Sequence, residues 1–227
     1  MNEFVKTYNL IDINKLKDVK IAVIGLGGVG AIAAEALVRS GIRNIILIDF
    51  DRVELSNINR QIPAYHSTLG EYKTEVLKQR FLDINPELNI NTKTVRASKD
   101  NFEDLMEDSN FVIDAIDSLS DKADLIEYLF KNKIPFVSSM GTANRIDPLQ
   151  FDIVDISRTK NDPLAKRLRK ELKKREIEKG FDVVISSENP IKDKNLSSLM
   201  FVTATAGLLL SYYTFKKLEL FGKNQDE

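Results

Sequence analysis

The chain has 227 residues, 43% hydrophobic and 30% charged, which describes a globular protein with enough length to bury a full core. Its 33 basic and 34 acidic side chains leave a net charge of −1, so bulk charge points to no nucleic-acid or acidic-surface partner. Cysteine is absent and His66 is the single histidine, which excludes disulfides, thiolate zinc, iron–sulfur clusters, thioester chemistry on the chain and multi-histidine metal sites.

The first six residues lack a charged-then-apolar signal pattern, from which a cytoplasmic location is expected. Residues 19–24 form a short apolar run ending in glycines, and 31–40 follow with helical spacing. Residues 44–48 read as a second buried strand ending at Asp49. Residues 71–84 read as a helix with Val76, Leu77, Phe81 and Ile84 on one face, and 89–95 alternate like a strand. A strand at 111–116, a helix at 119–131 and a strand at 134–138 complete the alternation. Such alternation at this pitch predicts an α/β fold, a Rossmann-like and mostly parallel sheet flanked by helices.

After Gly141 the pattern changes. Residues 149–156 alternate without a preceding crossover helix, which predicts an antiparallel extension of the sheet. Pro163 opens a highly charged helix expected to run to about Glu178. A strand at 181–186 and a polar loop at 187–195 follow. Then come 21 uncharged residues between Lys194 and Lys216. That length suits either a buried core or interface helix or a membrane span, and its Ser, Thr, Asn and Gly207 favour the former. Residues 219–227 read as a frayed tail. The expected division is one domain over 1–156. Residues 157–227 then pack on that domain as a basic helix, a short strand and the uncharged helix.

Gly25-Leu26-Gly27-Gly28-Val29-Gly30 sits where a strand meets a helix. Glycines there permit a tight turn and let backbone N–H groups approach a phosphate at the helix N-terminus. Asp49, 19 residues after Gly30, can accept ribose hydroxyls. These residues alone do not separate NAD from ATP. The charged run Asp49-Phe50-Asp51 to Ser56-Asn57-Ile58-Asn59-Arg60-Gln61, with Lys73 early in the next helix, favours ATP. So does Asp114-Ala115-Ile116-Asp117-Ser118 at a strand's binding edge. Two cations, Arg60 and Lys73, and two acids, Asp49 and Asp117, suit a triphosphate with Mg²⁺.

On these motifs the chain resembles the ATP-dependent adenylating enzymes of the ThiF/MoeB/ubiquitin-activating superfamily. The resemblance implies that Gly25, Gly27, Gly28 and Gly30 form the phosphate loop and that Asp49, with Asp51 nearby, holds the ribose side. It implies that Asn57, Arg60 and Lys73 act on the phosphates or the reacting carboxylate, that Asp117 ligates Mg²⁺, and that Gln61 only supports. Relatives often carry an N-terminal arginine that reaches ATP across a dimer, where this chain offers Lys6.

The segments Ser138-Ser139-Met140-Gly141-Thr142-Ala143-Asn144-Arg145-Ile146-Asp147-Pro148 and Asp162-Pro163-Leu164-Ala165-Lys166 resemble the branch of that superfamily that dehydrates threonylcarbamoyladenosine in tRNA. That resemblance implies adenylation of the threonyl carboxylate, then closure to a cyclic hydantoin by a ureido nitrogen, a scheme that needs no cysteine. It also implies tRNA as partner, a homodimer, and sulfur-relay proteins as further candidate partners. The 140–144 turn is open to two readings, a monovalent cation site (K⁺ or Na⁺) or a structural turn. The alternative activity is adenylation of the C-terminus of a ubiquitin-like or sulfur-carrier protein.

Charge is uneven. Residues 158–179 carry ten basic and four acidic side chains, net +6, leaving −7 on the rest. Lys166, Arg167, Arg169, Lys170, Lys173 and Lys174 on this stretch are the candidate tRNA contacts. A solvated helix face is the other reading of the same residues. His66 reads as a surface residue.

Overall fold

The computed structural model describes residues 10–106 and 108–222. Lys6 and residues 223–227 lie outside them. After a short first helix, α1 (Ile13–Leu16), the chain enters β1 (Lys20–Ile24), α2 (Gly30–Arg39) and β2 (Asn44–Ile48). Then follow α3 (Lys73–Ile84), β3 (Asn89–Lys93), α4 (Phe102–Met106) and β4 (Phe111–Asp114). The second half comprises α5 (Leu119–Lys131), β5 (Phe136–Ser139), β6 (Phe151–Asp155), α6 (Pro163–Lys173), β7 (Asp182–Ser186) and α7 (Met200–Lys217).

The strands form one seven-stranded sheet in the order β3-β2-β1-β4-β5-β7-β6. All neighbours are parallel except β6, which pairs antiparallel with β7 in the register Phe151 opposite Ser186 through Asp155 opposite Asp182. The antiparallel extension expected from the sequence is therefore this edge pair. Because strand side chains alternate, the apolar runs of β1 and β2 feed both faces. Ile21, Val23, Ile45 and Leu47 join one core with α2, α3 and α7. Ala22, Ile24, Ile46 and Ile48 join the other, beneath α4, α5 and α6.

The uncharged C-terminal segment is a core helix. Val202, Ala206 and Leu210 of α7 are fully buried, and Gly207 lies so close to α2 that a Cβ would stand 2.5 Å from the Val29 carbonyl oxygen. No helix among the described residues is long and apolar enough to cross a membrane. Four features differ from expectation. The helix at 13–16 and that at 102–106 were not anticipated, being too short to display a period. The basic helix stops at Lys173, five residues early; Glu176 takes a left-handed φ of 63°, and that reversal turns Ile177 back into the core. The tail is not frayed up to Gly222, since Leu220 is buried and Phe221 bridges Ile11.

Candidate active site

Going outward from β1, the sheet order runs 2-3 on one side and 4-5 on the other, so the connections diverge between β1 and β4. Ligands of open α/β sheets bind at such a divergence, outside the carboxyl ends of the strands. A cleft of about 840 Å³ opens there, lined from the loops after β1, β2, β4 and β5.

The glycine loop forms its floor. Gly25 has φ +88°, and a Cβ on it would meet the Ala115 carbonyl oxygen at 2.7 Å. The loop after β1 and the loop after β4 thus touch through backbone alone. Gly27 and Gly28 line the cleft. Gly30 does not. A Cβ there would stand 1.8 Å from the Gly25 carbonyl oxygen, so its role is to let α2 start against the turn. No side chain caps α2; Ala31 N–H is bonded to the Gly27 carbonyl at 3.2 Å, and an anion at this helix start would meet the remaining N–H groups of the first turn.

Asp49 at the end of β2 is buried, and both its oxygens are engaged: Oδ2 accepts from Leu26 N–H at 2.6 Å and Oδ1 from Asp51 N–H at 2.7 Å. Burial pushes its carboxyl above the usual range, against the pull of Lys73 and the two backbone donors. Lys73 opens α3. Its backbone N–H bonds the Asp51 carbonyl at 3.1 Å, and its buried ammonium pairs with Asp51 Oδ2 at 2.8 Å. The Arg60 guanidinium donates to the Ser56 carbonyl and Asn59 Oδ1, each at 2.8 Å, and no carboxylate pairs with it among the described residues. Asn57 is buried and accepts from Glu54 N–H at 3.1 Å, so its side chain shapes the turn that carries Arg60. Asp117 is exposed at the lip.

The structure therefore brings Gly25, Gly27, Gly28, Asp49, Asp51, Asn57, Arg60, Lys73 and Asp117 to one cleft, and leaves Gly30 behind it. Asp114, the other acid of the Asp-Ala-Ile-Asp run, is outside the site. It is fully buried with Lys122 at 2.8 Å and Ser138 at 2.6 Å. His66 is exposed and does not line the cleft.

Two lining residues exceed what the sequence assigned them. Gln61, read as support, is 8% exposed, and its Oε1 has no hydrogen-bond partner; a buried acceptor in that state suits a donor brought by a ligand. Arg145 is buried with every nitrogen engaged. It donates to the carbonyls of Gly141 at 3.0 Å, Asn161 at 3.3 Å and Glu188, and pairs with Asp162 at 2.8 Å. Asp162 also caps α6 through Ala165 N–H at 2.7 Å. Only the acid of an Asp-Pro helix start was legible in advance; its partner 17 positions upstream was not.

The six candidate tRNA contacts do not share one state. Lys166, Arg167 and Lys170 are exposed without ion pairs among the described residues. Arg169 is half-buried and committed to Thr159, while Lys173 pairs with Glu178 at 3.6 Å and Lys174 with Glu171 at 2.7 Å. The 140–144 turn has its Asn144 side chain bonded to Ile191, Asn195 and Ser197 of the long loop after β7, which fits the structural reading.

A glycine loop at the divergence point of a doubly wound sheet, followed by an arginine turn, a lysine at the next helix start and an acid after β4, defines a nucleotide-binding domain of the adenylating type. Residues 4–217 match the ThiF family, and the chain belongs to it. The tRNA threonylcarbamoyladenosine dehydratase of Bacillus subtilis is 44% identical over 177 residues, 78% of this chain and 70% of that protein. The Escherichia coli enzyme of the same name is 41% identical over 197 residues, 83% and 74% of the two chains. A crystal structure of the E. coli enzyme with ATP superposes with a TM-score of 0.87 at 39% identity, over 91% of this chain and 88% of that one.

Proposed function

We propose that this chain dehydrates threonylcarbamoyladenosine in tRNA with ATP. The observation that carries the reading is the cleft itself, where phosphate loop, Asp49, Arg60 and Lys73 converge on a chain without a cysteine. The solved ATP complex of the E. coli enzyme, 39% identical, supports the same nucleotide. An oxygen of the threonyl carboxylate attacks the α-phosphorus, the bond to the β-phosphate bridging oxygen breaks, and pyrophosphate leaves. The ureido nitrogen of the same side chain then attacks the acyl carbon; it loses its proton, AMP departs, and the ring closes with net loss of one water. Tethering supplies the nucleophile at high effective concentration, so no enzyme thiol is needed.

In this reading the backbone of Gly27 and Gly28 lies along the phosphates and Asp49 accepts from the ribose. Arg60 and Lys73 stabilise negative charge growing at the α-phosphate, Lys73 exchanging its Asp51 partner for phosphate oxygens. Asp117 would hold Mg²⁺. No cluster of three metal-ligating side chains occurs among the described residues, and a single carboxylate suits an ion otherwise bound by phosphates and water. When bound, that ion offsets phosphate charge. The same reading includes contact of the basic helix with tRNA and a homodimer through the outer face of α7.

The test is mass spectrometry of nucleosides from tRNA carrying threonylcarbamoyladenosine, incubated with the protein, ATP and Mg²⁺ and digested gently. Loss of one water from the modified nucleoside with matching AMP release is expected. Arg60→Ala should lower the rate on the order of 100-fold, as removal of one preorganised donor does elsewhere. Stabilisation by ATP–Mg²⁺ without that mass change would overturn the RNA substrate and direct the search to a protein C-terminus.

A further inference from the structure

The nucleotide candidates occupy only part of the cleft. The remainder is walled by the 141–144 turn, the first turn of α6 at Pro163 and Leu164, and residues 190–193 of the loop after β7. This second half is built as firmly as the first. Arg145 ties its three walls together from behind through Gly141, Asp162 and Glu188. The loop after β7 is strapped across by Asn144, which bonds Ile191 and Ser197, and by Asn59 Nδ2, which reaches the Ser198 carbonyl at 3.0 Å.

The cations bordering the cleft fall into two groups. Lys73 is paired with Asp51, Arg96 with Asp121 at 2.7 Å, and Arg145 with Asp162. Arg52 lies 3.7 Å over the Tyr72 ring and bonds the Gly70 carbonyl, and Arg60, on the nucleotide half, has no carboxylate partner among the described residues but is held by the Ser56 carbonyl and Asn59 Oδ1. Arg167 and Lys192 also line the cleft, both on the second half, and neither has an ion-pair or side-chain hydrogen-bond partner among the described residues. Arg167 is at the same time the inner end of a short row. With Lys173 paired to Glu178 and Arg169 turned to Thr159, the exposed cations of α6 without an ion pair among the described residues are Lys166, Arg167 and Lys170, at spacings that share a helix face. Positive charge without counter-charge at a concave rim concentrates potential on an incoming polyanion.

We propose that this second half of the cleft is the subsite for the RNA substrate, with Arg167 binding a backbone phosphate next to the nucleotide being modified and Lys192 facing it from the loop after β7. The proposal rests on the tRNA reading above and refines it. Arg167 selects the acceptor and leaves ATP binding untouched, while the outer cations Lys173 and Lys174, already paired, contribute little.

The full chain and its variants Arg167→Ala, Arg167→Lys, Lys192→Ala and, as an exposed cation away from the cleft, Lys131→Ala are compared in three assays. Anisotropy across a salt series reads binding of modified and unmodified tRNA; cyclisation kinetics give KM and kcat; thermal shift with ATP–Mg²⁺ reads the nucleotide half. Arg167→Ala should weaken both tRNAs about tenfold and lower the salt slope by about 1. KM should rise with little change in kcat or in the ATP-dependent shift. Arg167→Lys should recover most of the loss, Lys192→Ala should show a smaller loss, and Lys131→Ala should match the parent. Unchanged tRNA affinity in Arg167→Ala, or a reduced ATP shift, overturns the subsite. A loss confined to modified tRNA overturns the phosphate assignment in favour of the threonyl carboxylate. Failure of the parent chain to bind or dehydrate tRNA at all overturns the underlying reading instead, and is seen before any variant is compared.

Discussion

Gly27 and Gly30 lie in one loop, yet a methyl group would meet different surroundings at each. At Gly30 it would stand 1.8 Å from the Gly25 carbonyl oxygen, a backbone atom that cannot retreat without moving the turn. The gain of about 1 kcal/mol in helix propensity from Gly to Ala is far smaller than that overlap. Gly30→Ala should therefore lower the melting temperature sharply or prevent folding. At Gly27 the one atom within 4 Å is Gln61 Nε2 at 3.8 Å, an ordinary contact. Gly27→Ala should keep the parent stability within about 0.5 kcal/mol but lose most of the stabilisation by ATP–Mg²⁺, because the methyl enters space a phosphate needs. Melting curves with and without nucleotide read both; an equal loss of stability in the two variants would reject the division of roles. In the sequence all the loop glycines look alike, since spacing reports a tight turn but not which Cα faces the cleft. The same limit hid Arg145 and the Asp114–Lys122 pair. Each is a buried charge whose partner is fixed by the fold, and nothing in the local pattern marks which of 33 basic residues goes inside.

Helices and strands were legible where an apolar run met a clear stop. β2 and α5 occupy the spans expected, the first ending at Asp49 and the second entered through Ser118. Where charge or polarity filled the segment no stop was legible, as at the end of α6. α7 illustrates a further limit, because both of its faces are apolar and only the packing separates them. Its inner face meets α2 through Gly207, which brings the two helices close beside Val29 in the nucleotide loop. Its outer face exposes Phe201, Leu208 and Tyr212 at helical spacing, with Leu149 89% exposed on a turn that contacts the same helix. Water-exposed side chains of that size in one stripe suit a second copy of the chain. Leu208→Glu should then convert a dimeric mass to a monomeric one in light scattering, with ATP-independent folding retained because the site is on the surface. A monomeric parent chain, or a variant that stays dimeric, would remove the stripe from the interface.

Across the whole molecule, the carboxylates that tie elements together differ in the direction of their pKa from Asp49, the acid proposed for the ribose, and pH should separate them. Glu35 ties α2 to α3 at 2.6 Å from Arg80; burial alone would raise its pKa, but Arg80 and Arg39 outweigh it and hold it below 4.5. Asp124 and Glu127 on α5 are likewise held low, both facing Arg175, where the chain leaves α6, with Lys99 and Lys131 beside them. Groups with lowered folded values stabilise the fold above their unfolded values, and that contribution is lost as pH falls through the folded ones. Asp49 has the opposite sign. Burial raises it above 3.8, so its contribution to stability is complete below the unfolded value and is lost as pH rises through the folded one. At neutral pH its charge costs the fold, and under the proposed function that charge is what the ribose hydroxyls meet. On acidification Asp49 takes its proton before the structural carboxylates do, so stabilisation by ATP–Mg²⁺ should decline at a higher pH than the stability of the ligand-free protein. Asp49→Asn fixes the uncharged state but leaves one of the Leu26 and Asp51 N–H groups without its acceptor, so relief of the buried charge and a lost hydrogen bond of about 1–3 kcal/mol oppose each other in its ligand-free stability; it should show little nucleotide shift. Its residual pH dependence corrects for titration of the phosphates. Coincident loss of nucleotide stabilisation and of the fold on acidification, or an Asp49→Asn protein that keeps the full nucleotide shift, would assign Asp49 to the structural group and leave the ribose to another acceptor.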